Sequence, residues 1–148
     1  MKILVDADAC PKPIKEVLYR AAKRRNIQII FFANHAFMIP PSSNLKFIQV
    51  PKGFDVADGK IVEMVEKGDL VITADIPLAD AVIEKHATAI NVRGTYYTKE
   101  NIKEKLAIRD VVSELRDMGQ VSGGPPPFNK QDLQKFANAL DQYLAKKL

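Results

Sequence analysis

Two short apolar runs that each end in aspartate constrain this chain more than any other feature. The first is Ile3-Leu4-Val5-Asp6-Ala7-Asp8, and the second is Leu70-Val71-Ile72-Thr73-Ala74-Asp75, with Asp80 following in the next turn. Apolar runs this short, followed by helical patterns, read as buried parallel strands of an α/β sheet. Such sheets take ligands in the crevice outside the carboxyl ends of their strands. Two strands therefore deliver aspartates to one edge. Carboxylates about 5 Å apart repel by roughly 3 kcal/mol per pair at an effective dielectric near 20. A divalent cation is the natural compensation.

The pattern between and after these runs predicts an alternating fold. Ile14, Val17, Leu18, Ala21 and Ala22 form the stripe of an amphipathic helix, with Pro11 and Pro13 tolerated at its start. Ile27 to Ala33 and Leu45 to Val50 read as strands, separated by the break at Pro40-Pro41. Asp55 is placed as an N-cap, with Asp58 in the first turn of a helix running to Lys67. Gly68-Asp69 ends it, and Leu70 to Thr73 is the fourth strand. A helix from Pro77 to His86 leads to a fifth strand over Ala87 to Val92.

Thr98 is expected to cap a helix carrying Ile102, Leu106, Val111, Val112, Leu115 and Met118, and Asn129 a last helix carrying Leu133, Phe136, Leu140 and Leu144. Gly123-Gly124-Pro125-Pro126-Pro127 between them reads as a rigid turn, with a lid over the acidic edge as the alternative. The expectation is one domain over residues 1–148, with an α/β core at 1–95 and a helical part at 96–148. The fold class is α/β: a three-layer α/β/α sandwich around a mostly parallel, five-stranded sheet, with two C-terminal helices.

Bulk properties exclude more than they assert. No stretch approaches the roughly 18 apolar residues of a membrane span, and the first apolar run is too short for a secretory signal. Cys10 is the sole cysteine, so no intrachain disulfide can form and a reducing cytoplasm is the expected compartment. The net charge of +4 is mild, but its distribution is not: Lys12, Lys15, Arg20, Lys23, Arg24 and Arg25 crowd the first helix beside the lone acid Glu16. A solvated helix face and a polyanion-binding surface both fit that pattern.

The candidate catalytic residues are Asp6, Asp8, Asp58 and Asp75, and the candidate metal ligands Asp6, Asp58, Asp75 and Asp80. Mg²⁺ or Mn²⁺ suits them, since these ions take hard oxygen ligands, few from protein and the rest from water or phosphate. Each acid also has a structural reading as a helix cap or a first-turn charge. Lys12 and Lys15 sit where cations oppose the helix dipole, which phosphate oxygens would reward. Arg93, after the fifth strand, is a third candidate for substrate binding, though an ordinary loop arginine fits equally. Arg109 reads as a paired structural arginine. Cys10 is no nucleophile, because neighbouring acids raise a thiol's pKa. His35 is assigned to a loop and His86 to a helix C-terminus, and neither has a partner at ligand spacing. Tyr96 and Tyr97 carry only a weak suggestion of base stacking.

Asp58 through Asp80 resembles the second half of a PIN-domain nuclease, where an acid opens a helix, a Gly precedes a strand ending in Thr-x-Asp, and another acid follows. The whole chain resembles the YaiI/YqxD family of bacterial proteins through Val5-Asp6-Ala7-Asp8-Ala9-Cys10-Pro11, Gly53-Phe54-Asp55-Val56-Ala57-Asp58, Thr73-Ala74-Asp75-Ile76-Pro77-Leu78-Ala79-Asp80, Asn91-Val92-Arg93-Gly94, Arg109-Asp110 and Gly123-Gly124-Pro125-Pro126-Pro127-Phe128. The PIN resemblance implies a Mg²⁺- or Mn²⁺-dependent ribonuclease, and homodimers. Asp8, Cys10-Pro11 and the proline run are not PIN hallmarks.

Three functions are therefore expected in turn. The first is a metal-dependent phosphodiesterase acting on RNA or DNA. The second is a non-catalytic module binding nucleic acid or protein. The third is a haloacid-dehalogenase-like phosphatase with Asp6 as nucleophile and Asp8 as acid/base, although that family wants Thr or Val where this chain has Cys10.

Overall fold

Six strands and five helices are described by the computed structural model, which covers residues 1–53, 56–117 and 127–147. The elements are β1 (Ile3–Asp6), α1 (Lys12–Arg25), β2 (Ile29–Ala33), β3 (Leu45–Gln49), α2 (Val56–Met64), β4 (Leu70–Ile72), α3 (Ile76–Glu84), β5 (Thr88–Ile90), β6 (Tyr96–Tyr97), α4 (Lys99–Asp117) and α5 (Lys130–Lys147). The sheet order is β3-β2-β1-β4-β5-β6, with every pairing parallel except β5 with β6.

Strand alternation divides the sheet into two buried faces. Ile3, Val5, Phe31, Leu70, Ile72 and Ile90 pack with α1 and α5. Leu4, Ile30, Phe32, Val71 and Ala89 pack with α2, α3 and α4. The three-layer α/β/α sandwich follows from this period-two switch in strands buried on both sides. The two late helices belong to these layers: α5 places Phe136, Leu140 and Leu144 in the first core, and α4 places Ile102 in the second. Both caps are reciprocal. Thr98 Oγ1 accepts from the Asn101 N–H while Asn101 Oδ1 accepts from the Thr98 N–H, and Asn129 and Asp132 repeat the exchange.

Several element ends differ from expectation for local reasons. β2 starts two residues late because Asn26 closes α1 in the left-handed region (φ 51°) and Ile27 N–H bonds back to Ala22 O. α2 stops at Met64, since the Asp69 carboxylate captures the Glu66 N–H at 2.8 Å. β5 is cut short at Ile90 because Asn91 Oδ1 accepts from the Arg93 and Thr95 N–H groups and turns the chain. That turn produces β6, a sixth strand that local patterning did not announce. The expected cap at Asp55, the side chain of Arg109, Met118 and the Gly-Gly-Pro-Pro run lie outside the described residues.

Gly94 ties the turn to α5. Its φ is +87°, and a Cβ there would stand 2.5 Å from the Lys135 carbonyl carbon. Only glycine fits so close to another backbone. Beside it, Arg93 Nη1 donates to Asp132 Oδ2 at 2.7 Å. The turn thus docks α5 onto the edge of the sheet.

Candidate functional site

The switch point of the sheet lies between β1 and β4. The chain leaves β1 by α1 on one face, and reaches and leaves β4 by α2 and α3 on the other. The backbones diverge there and open a cleft outside the strand ends. That cleft, of about 240 Å³, is lined by Asp6, Asp8, Asp58 and Asp75 together with Asn34, Val50, Pro51, Gly53, Val56 and Ala57. Four carboxylates line it, from β1, the turn after β1, α2 and the start of α3. Among the described lining residues there is no lysine or arginine.

Each acid is held differently. Asp6 ends β1 half-buried, and its Oδ2 accepts from the Thr73 hydroxyl at 3.0 Å. Thr73 Oγ1 in turn accepts from the Asp75 N–H at 3.0 Å, so one buried hydroxyl links the two strand ends. Burial pushes the Asp6 carboxyl above its ordinary value; the Thr73 hydrogen bond opposes this, and Asp75 and Asp8 add to it. Asp75 is the N-cap of α3, with Oδ1 accepting from Leu78 N–H at 3.0 Å. Asp58 lies in the first turn of α2.

Asp8 Oδ2 accepts from the Asn34 N–H at 2.9 Å, and its Oδ1 stands 2.9 Å from His35 Nδ1. His35, expected in a loop with no partner at ligand spacing, thus pairs with Asp8 across the sheet edge. The sequence hid this pair because it joins the turn after β1 to the loop after β2, 27 positions apart on adjacent parallel strands. Thr73 was visible only as part of a Thr-x-Asp motif, and its bridging role appears only once β1 and β4 are neighbours.

The remaining candidates lie around the cleft. Asp80 is on the second turn of α3 and is not among the lining residues. Lys12 begins α1, and Lys15 places Nζ 3.8 Å from the centre of the Phe37 ring. Arg93 faces Asp132 rather than the cleft. Cys10 is buried, and its thiol is pushed up to about 12, chiefly by burial, with Lys15 working against the rise and Asp6 adding to it. That thiol is inert at neutral pH. Tyr96 donates its hydroxyl to Ala139 O at 3.0 Å, and Tyr97 is buried in the second core, so both are committed to packing.

The donor chemistry fits a hard divalent cation, but not a closed cage. Among the described residues, no three acid, histidine or cysteine side chains stand close enough to hold one ion by themselves. Asp6 and Asp75 each commit one carboxylate oxygen to a hydrogen bond within the chain, and each carries a second oxygen that can serve as a ligand. Mg²⁺ is held in this open manner, by one or two carboxylates with water and phosphate completing the shell.

The family model described as "Uncharacterized BCR, YaiI/YqxD family" matches residues 4–146. The chain belongs to the YaiI/YqxD family. It is 57% identical over 146 residues to a UPF0178 protein of Desulfotalea psychrophila, covering 99% of each chain. A UPF0178 protein of Shewanella amazonensis is also 57% identical over 146 residues, covering 99% of this chain and 98% of the relative. One of Marinobacter nauticus is 56% identical over 144 residues, covering 97% and 96%. No solved structure matches significantly. The relatives' names state a family and no activity. No helix among the described residues is long and apolar enough to cross a membrane.

Proposed function

We propose that this YaiI/YqxD-family chain is a divalent-metal-dependent phosphodiesterase that cleaves RNA, with DNA as the other strand its chemistry would accept. The observation that carries the reading is the single cleft lined by Asp6, Asp8, Asp58 and Asp75 with no lysine or arginine among its described lining residues. Like charges gathered in a half-buried site destabilise one another unless a cation joins them. The PIN-like pattern of the sequence supports the same reading.

In this reading Asp6 and Asp75 would hold Mg²⁺ or Mn²⁺ through their second oxygens, with Asp58 joined through water. The bound ion supplies an acidified water and neutralises charge on the phosphate. Thr73 fixes the rotamer of Asp6 and the start of α3 at once, so the two strand-end carboxylates keep a constant separation. Asp8, held by Asn34 N–H and beside His35, accepts the proton of the attacking water. Lys12 and Lys15, at the start of α1, draw the phosphate backbone to the cleft.

A second reading rests on a specific observation. The absence of three converging ligands among the described residues favours a non-catalytic module that binds nucleic acid and does not cut it. Calorimetric titration of Mn²⁺ into metal-stripped protein, with Asp6→Asn and Asp75→Asn alongside, separates the two. Binding weakened by both changes, with Mn²⁺-dependent cleavage of single-stranded RNA, upholds the enzyme. RNA binding without metal binding or cleavage replaces it with the module.

A further inference from the structure

The two helical layers carry opposite charge. In the layer formed by α1 and α5, α1 bears six lysines and arginines against Glu16, and α5 bears four lysines against Asp132 and Asp141. On the other face, α2 and α3 together bear one lysine against four acids, and α4 bears five of each sign. Both layers bury apolar side chains against the sheet, and the charged residues lie outside those cores. A layer of net charge near +7 on a chain of net charge +4 leaves the rest of the molecule acidic.

Two of the three acids of the basic layer are themselves engaged. Asp132 pairs with Arg93 at 2.7 Å and Asp141 with Arg24 at 2.9 Å. Lys15 rests on an aromatic ring, which leaves its charge unneutralised. Lys12, Arg20, Lys23, Lys130, Lys135 and Lys146 are exposed.

Geometry gives the layer a direction. α1 leaves the carboxyl end of β1 beside the acid cleft and runs to the amino edge of the sheet. α5 runs the same way: Asp132 in its first turn meets Arg93 beyond the end of β5, and Tyr143 near its end donates to Gly68 O just before β4. α1 is about 20 Å long and packs against α5. At their far end a groove of about 630 Å³ opens between Arg24, Arg25, Asp141, Gln142 and Ala145.

We propose that α5 forms, with α1, a continuous phosphate-backbone track that holds the nucleic-acid strand flanking the segment in the cleft. This deepens the reading of the cleft as a phosphodiester site, and names the surface that engages the rest of the strand. Extended basic surface leading from an acidic pocket suits a long polyanion better than a small anion, because charges spread along two helices can be satisfied together only by a chain of opposite charges. The track reads charge and not sequence.

The test measures binding of a 20-nucleotide single-stranded RNA by fluorescence anisotropy in EDTA, across a salt series. The variants are Lys130→Gln/Lys135→Gln/Lys146→Gln on α5 and Lys60→Gln/Lys99→Gln/Lys103→Gln on the opposite layer, each checked by thermal melting. The α5 variant is expected to bind about 10-fold more weakly at low salt, with the salt slope reduced by about 2, at roughly 0.7 for each phosphate no longer neutralised. The opposite-layer variant is expected to match the unmodified protein. Asp141→Asn, which releases Arg24, is expected to tighten binding two- to three-fold, a gain no misfolded variant can mimic. Equal losses from both triple variants, or an unchanged salt slope in the α5 variant, overturn the proposal. So does binding to phosphatidylglycerol vesicles with no binding to RNA, which would assign the face to a membrane surface. Because no metal is present, α5-dependent binding without cleavage on later addition of Mn²⁺ would remove the nuclease reading and leave the track standing.

Discussion

The two ends of β1 and β4 treat their aspartates in opposite ways. At the amino end, the Asp69 carboxylate is nearly sealed from solvent and accepts from Lys2 Nζ at 2.7 Å, Lys2 N–H at 3.0 Å and Glu66 N–H at 2.8 Å. At the carboxyl end, Asp6 receives one hydroxyl from Thr73, and burial, Asp75 and Asp8 all disfavour its charge. The same two strands thus hold Asp69, paired with a lysine of the chain, at one end, and Asp6, whose charge burial and two neighbouring acids oppose, at the other. A buried charge with its partners supplied is architecture. One whose charge is opposed at a switch-point cleft is where the proposed cation would bind.

The contrast can be broken most directly by activity. Asp6→Asn should lower Mn²⁺-dependent hydrolysis of RNA about 1,000-fold in kcat, while Asp69→Asn should leave it within about 3-fold in protein that remains folded. Comparable losses at both ends would show that the cleft is not special. In urea unfolding the order reverses. Asp69→Ala should cost about 3 kcal/mol, because it leaves Lys2 without its main partner and the Glu66 N–H without an acceptor.

Asp6→Asn should instead stabilise the metal-free protein by about 1 kcal/mol at pH 7, since it removes a charge that burial and two acids oppose. The pH dependence sharpens this. The folded Asp6 carboxyl holds its proton where the unfolded one has lost it, so the native state binds more protons just above the ordinary value of 3.8. Stability of the metal-free protein therefore falls as pH rises through that window. Asp6→Asn should flatten the curve there, and an unaltered curve would contradict the assigned environment.

The smallest effect belongs to Lys2. Burial works against its charge, but the bonds to Asp69 and Glu66 outweigh it, and its pKa is raised above 10.5. Its contribution is therefore complete below 10.5 and is lost as pH rises through the folded value. Lys2→Met should abolish that alkaline loss, measured by denaturation at pH 9 to 12.

Much of the fold could be read locally. The apolar runs at Ile3, Ile29, Leu45, Leu70 and Thr88 gave five strands, and Thr98 and Asn129 gave two helix starts, because periodicity and capping act within a few residues. β6 was not readable, since two tyrosines after a loop-like run carry no period. Its pairing depends on the Asn91 turn and on Gly94 lying against the α5 backbone. The roles of Arg93, Tyr96 and His35 were hidden for the same reason. Each is settled by a partner more than 25 positions away.

By itself, the sequence determined the alternating α/β layout, the acids that end its strands and the cationic bias of the first helix. These are written in residue type and spacing, which act over single strands and turns. The tertiary structure decided which acids share a cleft, that Asp80 stands apart from it, that Arg93 secures α5, and that α5 adds its lysines to those of α1. Those outcomes depend on strand order and on which face each helix covers. They are set by burying two hydrophobic faces of one sheet at once, a condition that no local stretch of chain contains.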